Sequence, residues 1–172
     1  MKSKSPKWTV SDVKAAVERL GITRLSAQPK REMVEQLTVT INRLLPGMNG
    51  AKGLIRQNFR AAGKVKDEVL AEVKSGRYGT FGNGRVVIVA TRWYCGNEMD
   101  SDNCASSFKY FLDAVVKCGI IADDGPKFAL IFYIQKKCIT RKFQKMTLEI
   151  TSNKETAKNM MLSLFEYWSN FS

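Results

Sequence analysis

The chain has 172 residues, 44% of them hydrophobic, which is enough for one globular domain with its own core. Its 28 Lys and Arg against 16 Asp and Glu give a net charge of +12, which favours a polyanionic partner such as nucleic acid, with a basic protein lacking such a partner as the alternative. Histidine is absent, and this excludes Ser-His-Asp and Cys-His catalysis as well as histidine metal ligands.

The sequence carries no sign of export or membrane insertion. No apolar run reaches the length of a membrane span, and no apolar signal core follows the opening MKSKSPKW. We therefore expect no membrane partner and a cytoplasmic location, in the host cytoplasm if a phage encodes the chain. Without a CxxC pair, the cysteines are expected to be reduced thiols, and a zinc site built from all four is disfavoured. They are Cys95, Cys104, Cys118 and Cys138.

The first part of the chain is predicted to be helical. Apolar spacing predicts a short helix over residues 9–20 and a second over residues 26–45, which Pro46 ends. We interpret residues 1–45 as a helical N-terminal extension and residues 46–172 as the main domain.

The main domain mixes helices and strands. A long basic helix is predicted over residues 53–74, followed by a glycine-rich turn region. Strands are predicted at 85–95, 127–137 and 145–152, and helices at 103–118 and 154–170. The last helix is expected to bury Met160, Met161, Leu164, Phe165 and Trp168. This pattern predicts an α+β fold, a small mixed sheet packed with helices.

Carboxylates are concentrated in one stretch of this basic chain. Six of the sixteen acids lie between residues 98 and 124: Glu98, Asp100, Asp102, Asp113, Asp123 and Asp124. If the strands on either side run side by side, the Asp100/Asp102 pair and the Asp123/Asp124 pair could meet at the end of the sheet. Close carboxylates repel one another, and a divalent cation such as Mg²⁺ relieves the repulsion.

Each acid also has a purely structural interpretation. Asp102 or Asn103 suits the cap of the following helix, and Asp123 and Asp124 suit a turn before Gly125. Lys109 and Asp113 have the spacing of a solvated helical ion pair. Taken singly, these interpretations are favoured, and the joint pattern is what points to a site.

The joint pattern resembles the RusA-type Holliday junction resolvases, whose signature has the form DxDNxxKxxxDALxxAGVxxDD. The matching segments are DSDN at 100–103, KYFLDAV at 109–115 and CGIIADD at 118–124, with PGMN at 46–49 similar to a Pro-x-x-Asn near that family's start. Five residues separate Asn103 from Lys109 where the family pattern has two. Three extra residues approximate one helical turn of about 3.6, so Lys109 is expected to return to nearly the same face.

The resemblance implies a metal-dependent nuclease. Asp100, Asp102 and Asp124 would be catalytic metal ligands with Asp123 alongside, Mg²⁺ or Mn²⁺ the cofactor, and Lys109 the catalytic residue that steadies phosphate charge. The cation would activate water and neutralise the phosphate. The family's substrate is branched DNA, a four-way junction nicked symmetrically during recombination and repair, which implies a homodimer. The alternatives are a non-catalytic branched-DNA-binding module and a phosphohydrolase acting on small molecules.

Residues that contact the DNA backbone are expected on the basic helix. The candidates are Arg56, Arg60, Lys64 and Lys66, and the alternative for each is a plain solvated position. Tyr78, Phe81 and Trp93 could stack on bases, although core burial is the favoured interpretation for each.

Overall fold

A four-stranded mixed sheet lies at the centre of the protein. The structure, a computed structural model, describes residues 31–47 and 59–169. The strands are β1 Gln36–Ile41, β2 Val86–Tyr94, β3 Ala129–Lys137 and β4 Lys145–Thr151; the helices are α1 Phe59–Ser75, α2 Ser101–Ser107, α3 Lys109–Lys117 and α4 Lys154–Ser169. The predicted α+β class and the three predicted strands are confirmed. The helix predicted over 9–20 lies outside the described residues.

The strand order is β1-β4-β2-β3. Strand β4 pairs antiparallel with both β1 and β2, while β2 and β3 are parallel, with Val86 opposite Ala129. A parallel pair needs a crossover connection, and the chain supplies it through α2 and α3. The acidic stretch thus lies on the connection between two neighbouring parallel strands.

The helix predicted over residues 26–45 is wrong where the structure describes it, because Gln36–Ile41 is strand β1. The stretch LTVTI fits both a helical and an alternating pattern, but its β-branched residues favour a strand. Val39 and Ile41 are fully buried, and Val39 lies opposite Leu148 of β4. This part of the predicted extension therefore belongs to the sheet, and residues 1–30 lie outside the described residues.

The predicted helix over 103–118 is divided in two at Phe108. The Phe108 amide donates to the carbonyl of Ala105, a tighter i→i−3 step that separates α2 from α3. The Phe108 side chain is fully buried, and its ring centroid lies 5.6 Å from that of Tyr133. Asp102 and Lys109 consequently sit on different helices, contrary to the single helical face that their spacing predicts.

The main core lies between one face of the sheet and helices α1 to α3. Its fully buried members include Val69, Val73, Ile88, Phe111, Ile120 and Leu148. Within the described ranges, no helix is long and apolar enough to cross a membrane.

The predicted burial of the last helix is wrong, because α4 has no buried residue. Met161, Phe165 and Trp168 are 43%, 76% and 64% exposed, while Met160 and Leu164 are half-buried against the sheet. These two apolar stripes are offset by one residue, about 100° around a helix of 3.6 residues per turn. A single sheet face can cover only one of them.

Candidate active site

The first aspartate of the acidic stretch, Asp100, begins helix α2. Asp100 is the N-cap: its Oδ1 accepts from the Asn103 backbone N–H at 2.8 Å and its Oδ2 accepts from Asn103 Nδ2 at 2.8 Å. The cap predicted at Asp102 or Asn103 is therefore two or three residues too late. Such a cap stabilises a helix by about 1 kcal/mol, so Asp100 has a structural task whatever else it does.

The second aspartate, Asp102, is solvent-exposed in the first turn of α2. Within the described part of the chain it forms no hydrogen bond or ion pair. It lines a cavity of about 590 Å³ together with Tyr133 on β3 and Trp168 on α4. An exposed carboxylate at the mouth of a cavity is available to a cation or to a ligand.

The Asp123/Asp124 pair follows α3, which Gly119 ends. Gly119 adopts φ +65°, and Ile120 N–H bonds back to the carbonyl of Val115, which turns the chain toward the next strand. Asp123 Oδ1 accepts from the Gly125 N–H at 2.7 Å, as the turn interpretation predicts. Asp124 is different, because its Oδ2 lies 3.2 Å from Lys109 Nζ.

A chain of four alternating charges runs across α1, α3 and the turn. Lys66 Nζ lies 3.0 Å from Asp113 Oδ2, Lys109 Nζ lies 3.0 Å from Asp113 Oδ1, and Lys109 also reaches Asp124. Burial alone would raise the pKa of Asp113, but the ammonium groups of Lys109 and Lys66 outweigh it and hold that pKa below its ordinary value. Hydrogen bonding to Asp113 and then to Asp124 raises the pKa of Lys109 against the opposing effect of burial. Lys109 is thus a fixed cation in contact with a motif carboxylate.

Tyr133 on β3 is a residue that the sequence reasoning missed, because nothing distinguishes it within an apolar strand. Its side chain lines the same cavity as Asp102. Burial raises the pKa of Tyr133, and the negative charge of Asp124 raises it further while Lys109 opposes. The phenol therefore lines the cavity that Asp102 also lines and is close enough to Asp124 to be affected by its charge.

Gly47 is packed directly against the start of α2. A Cβ at Gly47 would lie 2.7 Å from Met99 Cε and 2.8 Å from the Asn103 carbonyl oxygen. Gly47, from the PGMN segment, therefore lies against Asn103 of the DSDN segment although more than fifty residues separate them. Only glycine allows that approach.

Arg92 is a second residue that the sequence reasoning missed. It is the one buried cation among the described residues, on the face of β2 that carries Ala90 and Tyr94. Its Nε and Nη1 find no hydrogen-bond partner within the described part of the chain. A lone arginine in a strand of apolar residues was the available signal.

Cys104 lines the same cavity as Asp102, and all four cysteines are free thiols in the structure. Burial raises the pKa of the Cys104 thiol to about 11, so it is protonated and unreactive at neutral pH.

Three of the four predicted metal ligands, Asp102, Asp123 and Asp124, keep a carboxylate oxygen without a hydrogen bond or ion pair to another described residue. Among the residues at 31–47 and 59–169, no three carboxylate or thiol groups lie close enough to hold a metal by themselves. Mg²⁺ often binds through one or two carboxylates and completes its shell with water and substrate phosphate. Asp102 has no partner in this part of the chain, and Asp123 and Asp124 each have one oxygen beyond their contacts with Gly125 and Lys109, so these carboxylates have oxygen atoms available to a cation.

The predicted DNA-binding residues on the basic helix differ in their surroundings. Arg60 and Lys64 are exposed on one face of α1. Lys66 is bound to Asp113 and also lies 5.7 Å from the Tyr110 ring centroid, so it is not a free phosphate contact. Arg56 lies outside the described residues.

No protein-family model matches the chain, and no curated protein is similar enough to count as a relative. The resemblance to the resolvases therefore depends on the spaced motif alone.

Proposed function

We propose that the chain is a Mg²⁺-dependent endonuclease that nicks four-way junctions or other branched DNA symmetrically, in recombination and repair. The observation that carries this proposal is the 3.2 Å contact between Lys109 Nζ and Asp124 Oδ2. These residues are fifteen positions apart, and both belong to the motif, at the spacing where this chain matches the signature without a gap. The proposed substrate puts the protein in the cytoplasm, the host's if a phage encodes it.

The chain's own residues have separate tasks in this proposal. Asp102 and Asp124, with Asp100 and Asp123 beside them, would hold Mg²⁺, or Mn²⁺ in its place, at the scissile phosphate. Such an ion supplies Lewis-acid stabilisation of the phosphate and an activated water. Lys109 holds a positive charge beside Asp124, where it can approach a phosphate oxygen and stabilise the charge that grows there.

The test of this function is a cleavage assay on a synthetic four-way junction and a matched linear duplex, each with and without Mg²⁺. We expect nicks in the junction alone, only with Mg²⁺, and at symmetric positions. Asp124→Asn should abolish nicking, and Asp67→Asn, an exposed acid on α1, should leave it unchanged. A wild-type protein that never nicks the junction would rule out the nuclease.

A non-catalytic branched-DNA-binding module is the second candidate, and one observation favours it. One oxygen of Asp100 caps α2 and the other accepts from the Asn103 side chain, so this carboxylate has a structural reason to be present. In that case the junction would bind tightly without being cut, and Asp124→Asn would change neither property.

Symmetric nicking requires two copies of the site, and the exposed stripe of α4 suits a second copy of this chain. The stripe consists of Met161, Leu162, Phe165 and Trp168. Since a buried aromatic side chain covers roughly 150–250 Å², these four would bury roughly 400–500 Å² per copy, near the total of about 1,000 Å² that a specific interface needs. Two chains of charge +12 repel each other, so apolar burial must drive their association.

The dimer is tested by light scattering on a sizing column. We expect wild type at twice the chain mass and Phe165→Ser as a monomer that still folds. Ile139→Ser, which changes a residue 93% exposed elsewhere on the surface, is the matched control and should stay dimeric. A wild-type monomer at micromolar concentration would contradict the proposed dimer.

A further inference from the structure

Positive charge is concentrated in the loop between β3 and β4 and in the strand ends that flank it. Residues 136–145, here called the basic loop, contain five cations and no acid. The five are Lys136, Lys137, Arg141, Lys142 and Lys145. Within the described ranges none of them forms an ion pair, in contrast to Lys66 and Lys109. Their charges are therefore available to an external anion.

The same loop exposes two large apolar side chains. Ile139 is 93% exposed and Phe143 is 60% exposed. Exposed apolar side chains of this size are costly in water unless they meet a partner. Their place among cations indicates a ligand that offers both negative charge and flat apolar faces.

Beneath the loop lies a groove built around Trp93. Lys136 and Lys145 are the cross-strand neighbours of Trp93, and their Nζ atoms lie 5.3 Å and 5.5 Å from its ring centroid. The groove has a volume of about 520 Å³ and is lined by Trp93, Asn42 and the loop. Trp93 Nε1 is buried and finds no hydrogen-bond partner in the described part of the chain.

The basic loop is joined to the segment that leads into the acidic motif. Cys138 N–H donates to the Tyr94 carbonyl at 2.7 Å, and Gln144 Nε2 donates to the Cys95 carbonyl at 3.3 Å. Asp100 follows five residues after Cys95. A ligand bound at the loop would therefore lie against the strand end from which the candidate active site begins.

We infer that the basic loop is a nucleic-acid contact for DNA with unstacked bases, in which Lys137, Arg141 and Lys142 bind phosphates and Phe143 stacks on an exposed base. Cations follow the backbone, and aromatic rings accept any unpaired base without regard to sequence. The inference deepens the proposed function and depends on it for the kind of DNA, a branch point with open bases. The Arg60 and Lys64 face of α1 is a separate surface that lacks an exposed aromatic residue in its described part.

The test measures binding by fluorescence anisotropy in EDTA, so that no cleavage occurs. The loop variant carries Lys137→Gln, Arg141→Gln and Lys142→Gln; the control variant removes the same charge through Lys127→Gln, Lys154→Gln and Lys158→Gln, all exposed elsewhere. We expect the loop variant to bind the junction at least tenfold more weakly. Its slope of log K against log salt should fall by about 2.7, at roughly 0.9 per phosphate contact. The control variant should match wild type.

Phe143→Ala tests the stacking. Because base–aromatic stacking is worth a factor of about 5 to 150 in affinity, the variant should lose that much for the junction and for single strands and almost nothing for linear duplex. Equal losses for junction and duplex would overturn the stacking. Equal losses in the loop and control variants would overturn the loop as a site, because net charge alone would explain binding.

Three further outcomes separate this inference from its rivals. If the loop variant loses binding to phosphatidylserine vesicles while junction binding is unchanged, the loop is a membrane contact and the inference fails. If the loop variant binds junction like wild type while Asp124→Asn abolishes nicking, the inference fails and the nuclease stands. If the loop variant loses junction binding but wild type never nicks, the loop site stands and the nuclease fails. Thermal melting confirms that each variant folds.

Discussion

Replacing Lys109 with glutamine removes the ammonium group that joins Asp113 to Asp124. The Lys109 side chain is 57% exposed, so solvent screens both ion pairs. At about 0.2–1 kcal/mol for each exposed pair, the loss of stability should be about 0.5–1.5 kcal/mol. Asp113 keeps Lys66, which limits the damage. For a chain of this size that loss lowers the melting temperature by about 1–6 °C, at about 2–4 °C per kcal/mol.

The effect on cleavage should be much larger. A donor that stabilises charge in the transition state is worth roughly 10²–10³ in rate, or about 2.7–4 kcal/mol. Single-turnover nicking of a four-way junction at saturating protein measures the chemical step apart from binding. We expect Lys109→Gln to fall by that factor while its junction affinity changes little, because one screened cation contributes little to binding.

Lys117→Gln is the matched control, since Lys117 is an exposed lysine on the same helix without an ion pair in the described structure. It should leave both melting and nicking unchanged. Normal nicking by Lys109→Gln would refute the assignment of Lys109 to the site. A melting temperature lowered by more than about 10 °C would show instead that the pair is chiefly structural.

Three further predictions concern Asp113, Cys104 and Gly47. Since the pKa of Asp113 is lowered in the folded state, its ion pairs stabilise the protein above the unfolded pKa of about 3.9 and the benefit is lost as pH falls through the folded value. Asp113→Asn should therefore cost about 0.5–1 kcal/mol at pH 7 and less at pH 2 in urea unfolding. Cys104, buried with a pKa of about 11, should resist iodoacetamide at pH 8 in the folded protein, whereas the half-buried Cys95 and Cys138 should react. Gly47→Ala should cost about 1–3 kcal/mol and lower nicking, because the new methyl would collide with the start of α2.

Each of these has its own control and its own contradicting result. An equal stability loss for Asp113→Asn at both pH values would remove the ion pairs as its cause. Urea-unfolded protein should be alkylated at all four cysteines, and modification of Cys104 at the rate of Cys95 in folded protein would contradict its burial. Gly63→Ala, at a helical glycine with open space around its Cβ, should be neutral or stabilising. If Gly47→Ala behaves in the same way, the close approach to α2 is not real.

Local sequence patterns were enough to predict most of the fold. The runs at β2 and β3 are rich in β-branched and aromatic residues and read as strands, and Met146, Leu148 and Ile150 alternate as β4 requires. The patterns failed at β1, whose stretch fits both the helical and the strand periodicity. They also failed at α4, which has two apolar stripes but only one sheet face to cover them. Both outcomes depend on what lies opposite, which a local pattern does not contain.

The sequence by itself placed the carboxylates, the lysine and the absence of histidine, and therefore the kind of chemistry this chain can carry. The tertiary structure alone decided which of these residues contact one another. Asp100 caps a helix, and Asp124 contacts Lys109. Asp113 forms an ion pair with Lys66, one of the predicted DNA contacts. Lys66 and Asp113 are forty-seven residues apart, and only the packing of α1 against α3 brings them together. Charge depends on composition, whereas contact depends on which buried surfaces fit one another.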